Sequence, residues 1–194
     1  MRVGPIIAVL ALVFAASAAS AQGWIEYVSA QDRFRVNFPG QPNIENMMHE
    51  TECAAIMPGH RYTAERGLSG YTMTVIDFSK TTMRPAAIGL EKRGAMQHLA
   101  TQIRQKRTVT YDAYAEIQVV PGHQLQVTLP NGRRLFAEIH FLDNRLYVME
   151  AEVPGNAAPP AAYQASLELI DNAGMVLRYR EDNHSFPDGR PRQR

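Results

Sequence analysis

The stretch from Tyr114 to Val153 constrains the fold more than any other part of the chain. Short apolar/polar alternations there are broken at Pro121-Gly122, Asn131-Gly132 and Asp143-Asn144. Asn-Gly between alternating runs is the strongest short-range hairpin signal, because a type I′ turn needs φ > 0 at both central residues. Asp-Asn is a weaker version. The segment reads as four consecutive antiparallel strands, a meander.

Two-residue loops fix a register. With Asn131-Gly132 as the loop, Val127 faces Phe136 and Leu125 faces Glu138. With Asp143-Asn144 as the next, Ile139 faces Val148, Glu138 faces Met149 and His140 faces Tyr147. One face then gathers Leu125, Val127, Leu129, Phe136, Tyr147 and Met149. The other gathers Leu135, Ala137, Ile139, Phe141, Leu146 and Val148. A sheet apolar on both faces needs cover on both, so the expected architecture is α+β: a largely antiparallel sheet flanked by helices in an α/β/α sandwich.

The remaining elements fit around that sheet. Arg33 to Phe38 alternates as a half-buried strand with Phe34, Val36 and Phe38 inward. Asn43 to Glu52 reads as a further strand, and Pro58-Gly59 as a turn. His60 to Glu65 and Tyr71 to Phe78 form a hairpin around Gly67 to Gly70. Ile76 and Phe78 break its phase, which suggests a bulge. Pro85 to about Lys106 reads as the one long helix, with Ile88, Ala95, Met96, Leu99 and Ile103 on one stripe. A shorter helix is expected from Pro159 or Pro160 through Ile170, capped at Gly174, with Met175 to Tyr179 closing strand or extended chain.

Met1 to Ala21 has a basic start, an apolar run from Ile6 to about Ala16 and a small-x-small end at Ala19-Ser20-Ala21. That is the pattern of a secretory signal. The expectation is export to the periplasm or beyond, with cleavage after Ala21. A single α+β domain over 22–179 and a flexible polar tail over 180–194 follow. No later apolar run is long enough for a membrane span. With 20 Lys+Arg against 19 Asp+Glu there is no long-range pull toward nucleic acid. The lone Cys53 excludes an intramolecular disulfide and reads as a small buried hydrophobe.

The strand ending in Phe38-Pro39-Gly40-Gln41-Pro42, the mid-chain helix, and the Arg145-Leu146-Tyr147 strand followed by Pro154 and a final helix resemble the Mog1/PsbP-like superfamily. The resemblance covers most of the mature chain and rests on element order. It implies an α/β/α sandwich and a binding or accessory role without catalysis, and it carries over no functional residue. The chain also resembles small secreted proteins of alphaproteobacteria.

No nucleophile elbow, zincin, P-loop or dinucleotide fingerprint is present, so no catalytic residue and no cofactor is expected. The leading expectation is a binding or accessory protein whose partner is a periplasmic protein or a small ligand. The alternative is a metal-binding protein or enzyme. In the register above His123 lies opposite His140, with Glu138 on the same face, which would put two imidazoles and a carboxylate within reach of a Zn²⁺ or Cu²⁺ ion. A one-residue slip would separate the pair. Glu150 and Glu152 read as carboxylates paired with basic groups of the covering helix or reaching water. The densest basic run, Arg104 to Arg107, could meet an anionic partner. Met47, Met48, Met57, Met73, Met83 and Met96 read as core filling, since no tight methionine cluster appears.

Overall fold

The computed structural model describes residues 23–52, 54–79 and 85–177, with the backbone alone for 85–92. The expectations for the leader, Cys53, Met83, Ile88 and the tail from 180 fall outside the side chains so described. Among the described residues ten strands and two helices follow in order: β1 (Ile25–Ser29), β2 (Phe34–Phe38), β3 (Asn43–Glu50), β4 (Ile56–Arg66), β5 (Ser69–Asp77), α1 (Pro85–Arg104), β6 (Thr108–Ile117), β7 (Val120–Thr128), β8 (Arg134–Leu142), β9 (Arg145–Val153), α2 (Ala161–Gln164) and β10 (Glu168–Leu169). β3 to β9 form one seven-stranded sheet in the order β3-β4-β5-β9-β8-β7-β6, with every neighbouring pair antiparallel. β1, β2 and β10 form a second, three-stranded sheet. The protein is α+β and mostly antiparallel sheet.

Both faces of the large sheet are apolar and both are covered, but by different things. On one face Ile76, Leu125, Val127, Leu135, Ile139 and Val148 meet Ala100 and Ile103 of α1. On the other, Tyr62, Tyr71, Met73, Tyr147 and Met149 meet Phe34, Val36, Phe38, Tyr163, Leu167 and Leu169. That second cover is the small sheet with the single turn of α2, so the helix-flanked sandwich is corrected to a sheet with a helix on one side and mainly strands on the other. The alternation of β2 gives the reason. Phe34, Val36 and Phe38 are fully buried, each worth about 1.5–3 kcal/mol of burial, and β2 spends this face on the large sheet while pairing with β1 and β10.

The expected second helix shrinks to one turn for a local reason. Ser166 Oγ donates to the Tyr163 carbonyl at 2.7 Å and accepts the Asn37 N–H at 3.0 Å. The chain is thereby tied to β2, and Glu168 and Leu169 extend as a strand. Gly174 does not cap a helix. It closes a turn in which its N–H reaches Asp171 O at 3.0 Å, with φ at 77°.

The meander is correct in its last hairpin and shifted in the others. Asp143 and Asn144 have φ of 46° and 60°, as a two-residue primed turn requires, and Ile139 faces Val148, Glu138 faces Met149 and His140 faces Tyr147. At Asn131-Gly132 the loop holds three residues. Leu129 N–H donates to Arg133 O at 2.8 Å, and Gly132 N–H to Leu129 O at 2.9 Å, with Gly132 at φ 77°. This is a turn with a glycine bulge. The extra residue slips the register by one: Leu125 faces Ala137 and Val127 faces Leu135. Leu125 and Val127 therefore lie on the α1 side with Leu135, Ala137 and Ile139.

Both Pro-Gly pairs were expected to turn the chain, and both lie inside strands. The turns are at Thr51 to Ala55 and at Gln118-Val119. Each proline stands one residue beyond the pairing to the inner neighbour, which begins at Gly59 and at Gly122, so no ladder donor is lost. Each glycine admits a close neighbour. A Cβ on Gly59 would lie 2.5 Å from Val75 O, and one on Gly122 2.2 Å from His140 Nδ1. The phase break at Ile76 is no bulge either. β5 runs in unbroken register along β9, and Ile76 simply faces α1.

Candidate functional site

β8 carries the polar centre of the fold. Its residues on the face away from α1 include Glu138 and His140, and both are buried, His140 to 1% exposure. On β7, Gln124 stands opposite Glu138 and Gly122 opposite His140. The missing side chain at Gly122 lets the imidazole lie against the β7 backbone. Gln124 Nε2 donates to Glu138 Oε1 at 2.8 Å, and Gln164 Nε2, from α2, reaches the same oxygen at 3.3 Å. A cleft of about 530 Å³ opens here between the end of the meander and α2, bordered by Ile117, Gln124, Glu138, His140, Gln164 and Leu167.

His140 is under-satisfied. Neither ring nitrogen has a hydrogen-bond partner, and Nε2 stands 3.9 Å from Glu138 Oε2, too far for a hydrogen bond. Tyr147, opposite His140 on β9, is also fully buried with an unpartnered hydroxyl. Burial pushes its phenol well above the ordinary range, so it stays protonated. An unpaired buried polar group costs about 1–3 kcal/mol, and native structures contain few of them. Of the two residues, His140 borders the cleft.

The slip of β7 against β8 corrects the expected triad. Glu138 and His140 share a face, but His123 faces Ile139 and lies on the α1 side. The three side chains are not brought together. Among the described residues no group of three or more His, Cys, Asp or Glu is placed to hold a metal ion. His123 belongs to a different cluster: its Nε2 contacts Asp112 Oδ1 and lies 3.1 Å from Arg104 Nη2, while Arg104 Nε donates to Asp112 Oδ2 at 2.7 Å. The Arg104 hydrogen bond, aided by His123, holds the Asp112 carboxyl below its usual value. This cluster ties the last turn of α1 to the edge strand β6.

Glu150 and Glu152 lie on the α1 side opposite Ala137 and Leu135. Glu152 pairs with the Arg133 guanidinium. Glu150 is pushed up by burial, against the pull of Arg61 and Arg107. Of the methionines, Met57 and Met73 are core, but Met48 is 71% exposed, which corrects its reading as core filling. Trp24 packs on the second core, its ring centroid 5.0 Å from that of Tyr71 and 6.3 Å from that of Tyr163.

Sequence reasoning missed Gly122, Gln124 and Gln164 as parts of the cleft, and missed a second polar cluster of Ser29, Asp32, His60 and Tyr62. Gly122 carried a signal, a Pro-Gly pair inside an alternating run. The others are joined only by the fold. Among the described residues no helix is long and apolar enough to cross a membrane.

No family model matches the sequence, and no curated protein matches it significantly. Among solved structures the chain is similar to the solution structure of cyanobacterial PsbP (CyanoP) from Synechocystis sp. PCC 6803, at 10% identity over 79% of this chain and 95% of that one, with a TM-score of 0.45.

Proposed function

We propose that this is an exported binding or accessory protein without chemistry of its own, and that the cleft at Glu138 and His140 seats its ligand. One observation carries the reading: a fully buried imidazole with both nitrogens unpartnered borders an open cavity. The leader pattern of Met1 to Ala21 supports export, and the lack of any catalytic motif supports a binding role.

The chemistry of the seat selects its occupant. Two amide N–H groups are already spent on Glu138 Oε1. What remains is rich in acceptors: the second carboxylate oxygen, the amide oxygens and the imidazole lone pair. A small ligand bearing a protonated amine complements that set, since charge-assisted hydrogen bonds are the strong ones. Calorimetric titration with putrescine, spermidine and the amino acids tests this. The expected result is saturable binding of an amine-bearing member that Glu138→Gln weakens at least tenfold. No binding across the panel, or binding indifferent to Glu138→Gln, refutes the seat. Mass spectrometry of the secreted or periplasmic fraction checks export, with a mature chain beginning at Gln22 expected.

A further inference from the structure

The turn between β1 and β2 holds a polar cluster remote in sequence from the cleft. Asp32 is only 5% exposed. Its Oδ2 accepts from His60 Nδ1 at 2.8 Å and from the Tyr62 hydroxyl at 2.5 Å. Its backbone N–H donates to Ser29 Oγ at 3.1 Å, and that oxygen lies 3.1 Å from the Tyr62 hydroxyl. Three side chains thus hold one imidazole in one orientation, Asp32 directly and Ser29 and Tyr62 through it. With Nδ1 donating to Asp32, the neutral ring keeps its lone pair on Nε2.

Among the described residues Nε2 has the amide of Gln31 as its hydrogen-bond partner, at 3.4 Å with the pair exposed. The ring borders a cavity of about 400 Å³ shared with Gln31, Asn46, Met48, Asp77 and Arg145. Asn46 stands directly opposite His60 across β3 and β4, and Met48 opposite Pro58. Met48 and His60 are therefore diagonal neighbours on one face, roughly 7–8 Å apart and within reach of a long side chain. Met48 is 71% exposed, whereas Met73 and Met149 of the same sheet are at 1% or below. A thioether held out at an edge strand beside an oriented imidazole is not accounted for by packing.

We propose that His60 Nε2 and Met48 Sδ bind copper(I) at the β3 edge, with Asp32 as the positioning residue. A histidine that donates its other ring N–H to a buried carboxylate is the usual partner arrangement of a metal-ligating imidazole, and it raises the ligand's basicity. The thioether selects a soft ion. Zn²⁺ would require a fuller shell of nitrogen, thiolate or carboxylate ligands, and no group of three or more such residues is assembled among the described residues.

The test is titration of the purified protein with Cu(I), without oxygen, against a chromophoric Cu(I) chelator, with Zn²⁺ run in parallel. A Cys53→Ser background removes the one thiol as a competing ligand. One equivalent of Cu(I) is expected, in preference to Zn²⁺. His60→Ala should abolish retention, Met48→Leu should weaken Cu(I) at least tenfold, and Asp32→Asn should weaken it about 10–100-fold. His60 and Met48 are outside the core, so their variants are expected to fold, as circular dichroism will check. Failure of the parent to retain Cu(I), equal retention by His60→Ala, or a preference for Zn²⁺ overturns the proposal.

Discussion

Gly122 and His140 act as a unit, because the ring occupies the space a β-carbon would need. A methyl group at Gly122 would also fall 2.5 Å from Ile139 O. Gly122→Ala should therefore destabilise the protein by about 1–3 kcal/mol through overpacking, read as a lower urea midpoint. His140→Leu should behave in the opposite way. Replacing a buried, unpartnered polar side chain by an apolar one is near neutral or stabilising, so its urea midpoint should hold or rise while amine binding is lost. A large loss of stability would mean that His140 serves the core and not a ligand. Glu150 gives a pH signature. Its folded pKa is raised, first by burial, so the folded state favours the protonated form. The stabilisation this brings is fully present below the unfolded value near 4.5 and fades as pH rises through the folded value. Glu150→Gln should then raise the melting temperature at pH 7 and change it little below about pH 4. A lower melting temperature at pH 7 would show that the attraction of Arg61 and Arg107 outweighs burial.

At the scale of elements, the second cover depends on two clips. Tyr163 is fully buried, donates to Thr72 O at 2.9 Å, and meets the rings of Tyr71 and Phe38. Tyr163→Ala should cost about 3–5 kcal/mol by analogy with other large aromatic truncations, measured by urea denaturation. Gln118 is the second clip. It sits in the β6–β7 turn at φ 58°, where glycine would be less strained. Its side chain donates to Leu169 O at 3.3 Å and accepts from Leu169 N at 3.1 Å, fastening β10 to the meander. Gln118→Gly should relax the turn yet speed hydrogen exchange at Leu169. Unchanged protection there would show that the small sheet holds β10 unaided.

At the scale of the whole molecule, the sequence reveals features set by local geometry and hides those set by distant contacts. Asp143-Asn144 announced its hairpin because both residues tolerate positive φ, and that register set Glu138 opposite Met149 and His140 opposite Tyr147. Asn131-Gly132 was ambiguous, since it suits a two-residue loop and also a longer one with a glycine bulge. Choosing the first moved Leu125, Val127 and His123 to the wrong face. The two-sided burial was legible from the apolar content of both strand faces. What covers the second face was not, because β2 reads the same whether it pairs in the large sheet or lies across it. The cleft needs Gln164 from α2 to reach β8, and the Asp32–His60 bond spans two sheets, so neither leaves a local pattern.

The claim on which the rest depends is that the β7–β8 slip leaves His140, and not His123, at a ligand seat. The most direct measurement is the ring ¹⁵N spectrum of histidine-labelled protein titrated with the amine that calorimetry identifies. The nitrogens of His140 should shift with saturation while those of His123 stay still. Shifts at His123, or at both rings together, would put the two imidazoles at one site and contradict the account.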